Sequence, residues 1–351
     1  MDRMRNGMPN ADGRQHAAVV TGAAGFIGAA VCRRLLALGW RVYAVVRPGS
    51  ANRRLPEQHP SLHLIEGDLM RLPEWTGRLE EAVRRSGPIG AWLHLGWTGV
   101  AGAARNDAVQ ASNVEAVLES VRTAARLGCC CWIGAGSQAE YGRLEGRADE
   151  EAAEAPTTGY GRAKLAAGKA ALAEAQHLGI SGSWVRIFSV YGPDDNSVWL
   201  IPAMTRQLLA GESPALTPGG QRWDYLYVDD AADAFAALAE RGVNAAAAAV
   251  AAELLIELPV ELPVDSVSDS AEMPVSLAEP TESDGRTGKT GKQAADTGLY
   301  NLGSGESRTI REIAELVRAA AARWMPRRLH RNEAGREADG SGDSEDRLVP
   351  P

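Results

Sequence analysis

No stretch of this chain is apolar for long enough to cross a bilayer. The nearest, residues 245–256, is short and interrupted by Glu253, whereas a spanning helix needs about 20 apolar residues. The first 15 residues are polar and mixed in charge, without the apolar centre of a secretory leader, so a cytoplasmic location is expected. Cysteine is scarce, at four in 351 residues. Cys129, Cys130 and Cys131 stand side by side in an apparent strand, and Cys32 falls in a helix. Metal-ligand spacing and the paired pattern of a disulfide framework are both missing, so these are read as reduced core thiols and no metal is expected. Positive charge is also short, 37 Lys and Arg against 45 Asp and Glu for a net charge of −8. That argues against nucleic acid or an anionic membrane as the main partner. What is present, 45% hydrophobic and 23% charged residues, is ordinarily globular, and the length suggests about two domains.

Residues 17–21 form a short apolar strand, followed by Gly22-Ala-Ala-Gly25-Phe26-Ile27-Gly28 and a helix that Gly39 stops. In this strand–turn–helix context Gly22 permits a tight turn, Gly25 lets the backbone approach a pyrophosphate, and Gly28 lets helix and strand pack closely. The helix N–H groups then face the anion. The next strand, 41–46, ends at Arg47. An acid there would hold a ribose diol; an arginine suits a 2′-phosphate, so NADP(H) is favoured and NAD kept open. A third strand over 62–69 ends at Asp68 and Leu69, where the carboxylate either takes an adenine amino group or caps a turn. A fourth strand, 91–95, leads through Leu95 into Gly96-Trp97-Thr98-Gly99; His94 in it reads as a core imidazole. A helix over 108–127 carries Asn113, and a fifth strand runs to Ser137. This alternation predicts a doubly wound α/β fold, a parallel sheet with helices on both faces. Its ligand would lie at the carboxyl ends of the strands, where the glycine turn, Trp97 and Ser137 fall.

Tyr160-Gly-Arg-Ala-Lys164 opens a helix, and the four-residue spacing puts phenol and ammonium on one face. A phenol with a pKa of about 10 needs roughly 4 kcal/mol of anion stabilisation to work near pH 7. A surface ion pair supplies at most about 1 kcal/mol, so the pair is useful only in a desolvated cleft. Ser137 would add a hydroxyl to hold the reacting oxygen.

These stretches, together with Arg186-Ile-Phe-Ser-Val-Tyr-Gly-Pro193 and Arg222-Trp-Asp-Tyr-Leu-Tyr-Val-Asp-Asp230, resemble the extended short-chain dehydrogenase/reductase family, which contains sugar-nucleotide epimerases, dehydratases and 4-keto reductases. The resemblance covers about residues 17–240 and resumes at Leu299-Tyr-Asn-Leu-Gly-Ser-Gly-Glu306. It implies a Rossmann-type sheet with a smaller, discontinuous C-terminal substrate domain. It also implies Tyr160 as acid-base, Lys164 on the nicotinamide ribose, Ser137 on the substrate oxygen and Asn113 as a helper. Cofactor contacts would come from Gly22, Gly25, Phe26, Ile27, Gly28, Arg47, Asp68, Leu69, Leu95, Gly96, Trp97 and Lys164. Substrate contacts would come from Trp97, Gln138, Asn196 and Arg222. Dehydratases resemble Thr-Asp-Glu where this chain has Ser137-Gln138-Ala139. Ala139 cannot move a proton and Gln138 is no general acid, so dehydration is disfavoured.

The implied activity is NAD(P)-dependent oxidoreduction of a nucleotide-linked sugar, a 4-keto reductase ahead of an NAD-dependent epimerase; a non-catalytic dinucleotide sensor would need no Tyr160. A homodimer is expected from the family's habit of pairing helices. The Rossmann domain is placed at 15–190, with part of 221–241 packed back on it, and the substrate domain at 191–220 and 299–326. Between 251 and 298 there are ten Asp or Glu against three Lys or Arg, with Pro, Ser, Thr and Gly, too little apolar content to offset ordering entropy. Residues 244–298 are therefore expected to be a disordered insertion, and 327–351 a flexible tail.

Overall fold

A computed structural model describes residues 15–256 and 297–324. In chain order the elements are β1 (Ala17–Thr21), α1 (Phe26–Ala37), β2 (Arg41–Val46), β3 (Leu62–Glu66), α2 (Pro73–Ser86), β4 (Ala91–His94), α3 (Val109–Arg126), β5 (Cys131–Ser137) and α4 (Gly159–Leu178). They continue with β6 (Ser181–Ile187), β7 (Ser189–Tyr191), α5 (Leu200–Leu209), β8 (Arg222–Tyr227), α6 (Val228–Ile256), β9 (Thr297–Leu302), β10 (Ser307–Thr309) and α7 (Ile310–Trp324). Seven strands make one sheet in the order β3-β2-β1-β4-β5-β6-β9, every pairing parallel. The order reverses direction between β1 and β4, which creates a crevice at their carboxyl ends.

Successive strand residues face opposite sides, so each strand feeds two cores. Val20, Val42 and Ala44 pack with Leu35 of α1 and Phe235 of α6. Val19, Tyr43 and Val45 pack with Leu79 of α2, Val121 of α3 and Ala171 of α4. The second layer is unusually rich in indole. Trp92 and Trp132 sit opposite each other on β4 and β5, and Trp132 stacks on Trp184 with centroids 6.2 Å apart and planes 8° apart. Trp184 lies so close to α4 that a Cβ on Gly168 would be 2.5 Å from its Nε1. With only three phenylalanines in the chain, tryptophan fills this interior.

Contact density divides the chain into two units, 1–190 with 226–303, and 191–225 with 304–351. The first holds the seven-stranded sheet. In the second, β10 pairs antiparallel with β8, Thr309 opposite Arg222, and the Asp224 carboxylate accepts from the Ser304 and Gly305 N–H groups at 2.6 and 2.9 Å.

Three expectations are corrected. Residues 299–302 belong to the sheet and not to the smaller domain: β9 pairs with β6 from Gly182–Thr297 to Ile187–Leu302, because an edge strand whose partner offers an open ladder gains more there than in a loop. The break placed at Asn244 comes later, since α6 runs to Ile256; alanine is the best helix former, and the run at 245–249 extends the helix. Residues 257–296 of the expected insertion, and the tail, lie outside the described residues. Finally, β5 begins at Cys131, so Cys129 and Cys130 precede it. All four thiols are free, and burial pushes Cys32 and Cys131 up to about 12, out of the range of reactive thiolates.

Candidate active site at the carboxyl edge of the sheet

The glycine turn is built as tightly as its spacing implied. Gly22 adopts φ +68°, and a Cβ on it would lie 2.6 Å from the Gly96 nitrogen; one on Gly28 would lie 2.2 Å from the Gly22 carbonyl oxygen. The Gly25 N–H donates to that same carbonyl at 2.9 Å. α1 then starts at Phe26 with no side-chain cap and no acid in its first turn. The N–H groups of Phe26, Ile27 and Gly28 are left for an anion. Leu69 covers Gly96, where a Cβ would be 2.1 Å from the Leu69 Cδ1, and Leu95 packs against the first core. Asp68 caps the turn after β3, its carboxylate accepting from the Met70 N–H at 3.0 Å. Arg47 is exposed just beyond β2. A second arginine at this edge was not singled out in the sequence: Arg54 donates to the Ala24 carbonyl in the glycine turn at 3.4 Å, and its own carbonyl accepts from Arg33 at 2.7 Å. No local motif announces it.

Ser137 ends β5 in extended conformation and starts a single 3₁₀ turn, its Oγ accepting from the Ala139 N–H at 3.2 Å. The Ser137 hydroxyl comes near enough to the Tyr160 phenol to pull its pKa down. Thr158 caps α4 by accepting from the Gly161 N–H at 3.0 Å, which fixes Tyr160 in the first turn. Lys164 lies one turn on, fully within the protein, and donates to the Ala135 carbonyl at 2.6 Å. Its Nζ is 3.7 Å from the Trp97 ring centroid and 5.8 Å from that of Tyr160. Trp97 stands edge-on to Tyr160, centroids 6.0 Å apart at 81°, its indole N–H donating to Gln110 at 2.9 Å. Gln138 is half-buried beside Ser137.

Burial raises Tyr160 above its ordinary value of 10, while the Ser137 hydrogen bond and the Arg105 charge pull down and Glu140 pushes up. Burial also brings Lys164 down to about 7, against the opposing pull of Glu140, and His94 down to about 3, helped by Lys164. His94 is the core imidazole expected of it, buried with Nδ1 3.3 Å from the Thr21 hydroxyl and its ring stacked on Trp132. Asn113 is held within the protein. Its amide accepts from the Thr98 N–H and donates to the Thr98 carbonyl, both at 2.9 Å, and donates to Val109 at 3.1 Å. With donors and acceptor engaged, it pins the loop that carries Trp97.

Asn196 and Arg222 belong to the second unit. Asn196 accepts from the Val198 N–H at 3.2 Å, and Arg222 donates to the Ser307 hydroxyl at 3.0 Å. That unit has a cavity of about 440 Å³ between α5 and α7, lined by Met204, Leu208, Leu216, Arg311 and Arg318 among others; neither predicted residue lines it.

The profile of the NAD-dependent epimerase/dehydratase family matches residues 18–250. The chain belongs to that family. An uncharacterized UDP-glucose epimerase of Bacillus subtilis (strain 168), YtcB, is 24% identical over 227 residues, 60% of this chain and 69% of that protein. A UDP-N-acetylglucosamine 4-epimerase from Methanobrevibacter ruminantium M1, solved with UDP-N-acetylmuramic acid, aligns with TM-score 0.61 and 21% identity over 86% of this chain and 81% of that one. The UDP-glucose 4-epimerase of Thermus thermophilus, solved with NAD, gives 0.61 and 20% over 87% and 83%. At these identities the solved structures share its fold.

Within this family member, two groups that the sequence reading passed over complete the site. Glu140, with no exposed surface, accepts from the Ser137 N–H at 2.8 Å, from the Trp184 indole at 3.0 Å and from Arg186 Nε at 2.7 Å. Arg105 lies with its guanidinium carbon 4.2 Å from the Tyr160 ring centroid. The first has no local signal, because its partners Trp184 and Arg186 lie 44 and 46 residues further along the chain. The second depends on a loop fold that no periodicity encodes.

Proposed function

We propose that this protein is an NAD(P)-dependent oxidoreductase acting on a nucleotide-linked sugar, and that its reaction is reduction of a 4-keto group. The observation that carries the reading is the buried Ser137–Tyr160 pair with its phenol raised above 10. Such a phenol is protonated at neutral pH, so it is ready to give a proton to a carbonyl oxygen, and Ser137 is ready to hold that oxygen. The open N–H groups of the glycine turn fit a dinucleotide pyrophosphate, and Arg47 suits a 2′-phosphate, hence NADP(H). A bound nicotinamide dinucleotide supplies hydride transfer. Trp97 and the Asn113-pinned loop close one wall beside Tyr160, and Ala139 leaves the site without the extra acid a dehydratase needs.

Epimerisation is the second reading, favoured by the names of the three similar proteins described above, each an epimerase. Nicotinamide absorbance separates them when protein meets NADPH and a nucleotide-linked 4-keto-6-deoxysugar. A reductase consumes NADPH stoichiometrically; an epimerase does not, and instead interconverts nucleotide hexoses with catalytic NAD. In either case Tyr160→Phe should reduce turnover by about 10²- to 10⁴-fold and keep cofactor binding. Equal turnover by wild type and Tyr160→Phe would remove Tyr160 from the chemistry.

A further inference from the structure

We propose that Glu140 is a positioning residue of this site: its buried carboxylate fixes Ser137 so that the serine hydroxyl is turned outward, as a hydrogen-bond donor to the reacting oxygen. The proposal rests on the reading of Ser137 and Tyr160 given above.

The 138–140 turn engages Ser137 at both its backbone and its side chain. The Ser137 N–H donates to Glu140 Oε1 at 2.8 Å, and the Ser137 Oγ accepts from the Ala139 N–H at 3.2 Å. This reciprocal arrangement fixes a residue at the start of a helical turn. A hydroxyl has one proton and two lone pairs. With a lone pair given to Ala139, the proton is directed away from the turn, which is the orientation a substrate carbonyl oxygen needs.

Glu140 is itself immobilised, with no exposed surface. Its Oε1 also accepts from the Trp184 indole at 3.0 Å, and its Oε2 accepts from Arg186 Nε at 2.7 Å. Arg186, on β6, is 2% exposed. It is paired as well with Glu154, which in turn pairs with Lys169 of α4. A Cβ on Gly136 would lie 2.7 Å from Glu140 Oε1, so the carboxylate is lodged against the backbone of β5 where a glycine leaves room for it. Three N–H donors converge on this one group. A carboxylate accepts from all of them and donates nothing, whereas an amide would bring two N–H groups of its own. A counter-ion for Arg186 has no need of the Ser137 N–H; that contact makes a core ion pair into the support of the reacting end of β5.

Glu140→Asp keeps the charge that acts on Arg186 and Tyr160 and withdraws the oxygens by one methylene. Hydrogen exchange at the Ser137 amide, read by NMR, should become at least about tenfold faster, while the Ile133 amide of the same strand changes less than about threefold. NADPH consumption with a nucleotide-linked 4-keto-6-deoxysugar should show kcat reduced at least about tenfold, with NADPH affinity unchanged. On a Ser137→Ala background the same substitution should change kcat less than about threefold, because the residue through which Glu140 acts is already gone. A merely structural carboxylate predicts equal losses on the two backgrounds. Unmoved exchange at Ser137, wild-type kcat in Glu140→Asp, or equal losses on the two backgrounds overturns the proposal. Glu140→Gln takes the place of Glu140→Asp if the latter loses its native circular dichroism. Faster Ser137 exchange without turnover of any nucleotide sugar by the wild type sinks the enzymatic reading and keeps the hold of Glu140 on Ser137; turnover with no change in exchange sinks the hold alone.

Discussion

Glu140 joins the reacting end of β5 to the interior. One carboxylate orients the Ser137 backbone, ties down Trp184 and neutralises a nearly inaccessible arginine. Removing one partner of a buried pair leaves an uncompensated charge, which costs about 3–5 kcal/mol. Arg186 keeps Glu154 as a second partner, so Glu140→Ala should lose about 3 kcal/mol in urea unfolding, with turnover falling further than stability because Ser137 is no longer held. A loss under about 1 kcal/mol would mean that Glu154 alone satisfies Arg186. Lys164 makes a prediction of opposite sign. Its folded value of about 7 lies below the ordinary 10.5, so the unfolded chain binds more protons between those limits and burial of this ammonium costs most stability at or below pH 7. The stability of Lys164→Met relative to wild type should improve as pH falls from 10 to 7; urea midpoints at the two values check it.

The glycine turn is an element whose sequence dictates its geometry. A methyl on Gly28 would drive into the Gly22 carbonyl at 2.2 Å, and backbone cannot yield as a side-chain tip does. Gly28→Ala should destabilise the protein by about 1–3 kcal/mol and weaken dinucleotide binding at least tenfold, measured by fluorescence quenching with NADPH; unchanged affinity would mean that α1 can slide on β1. This turn, β1, β2 and β4 were legible because each is a short-range pattern of apolar run, glycine and period. β9 was not: its sequence is that of any edge strand, and only the open ladder of β6 assigns it to the large sheet. The length of α6 was missed for the reverse reason, because residues 245–249 have the composition of low complexity and the propensity of a helix. At the site, Ser137, Tyr160 and Lys164 could be named from spacing. The hydrogen-bonding of Lys164 to Ala135, the clamp on Thr98 and the placement of Arg105 are tertiary facts without a local signature.

For the molecule as a whole, acid stability should be set early in the descent by histidine. His94 is buried with its value down at about 3, and His63 is lowered too, by burial and by Arg41. Groups depressed in the folded state contribute stability that is complete above the unfolded value of 6.5 and is lost as pH falls toward the folded value. The unfolding free energy should therefore decline from pH 6.5 downward, before any carboxylate titrates. His94→Asn should flatten that decline between pH 6.5 and 5; an unchanged slope would assign the acid sensitivity to other groups.

The parallel sheet closes with β9 on the outer side of β6, Gly182 facing Thr297. During synthesis β6 is therefore finished long before its neighbour exists. At about 5–20 residues per second its open edge waits on the order of ten seconds, presenting unpaired N–H and C=O groups to any passing strand. The yield of soluble protein is then a matter of timing: faster elongation through 188–297, or a chaperone holding the nascent sheet, should raise it, while stalling in that window should divert the chain into aggregates.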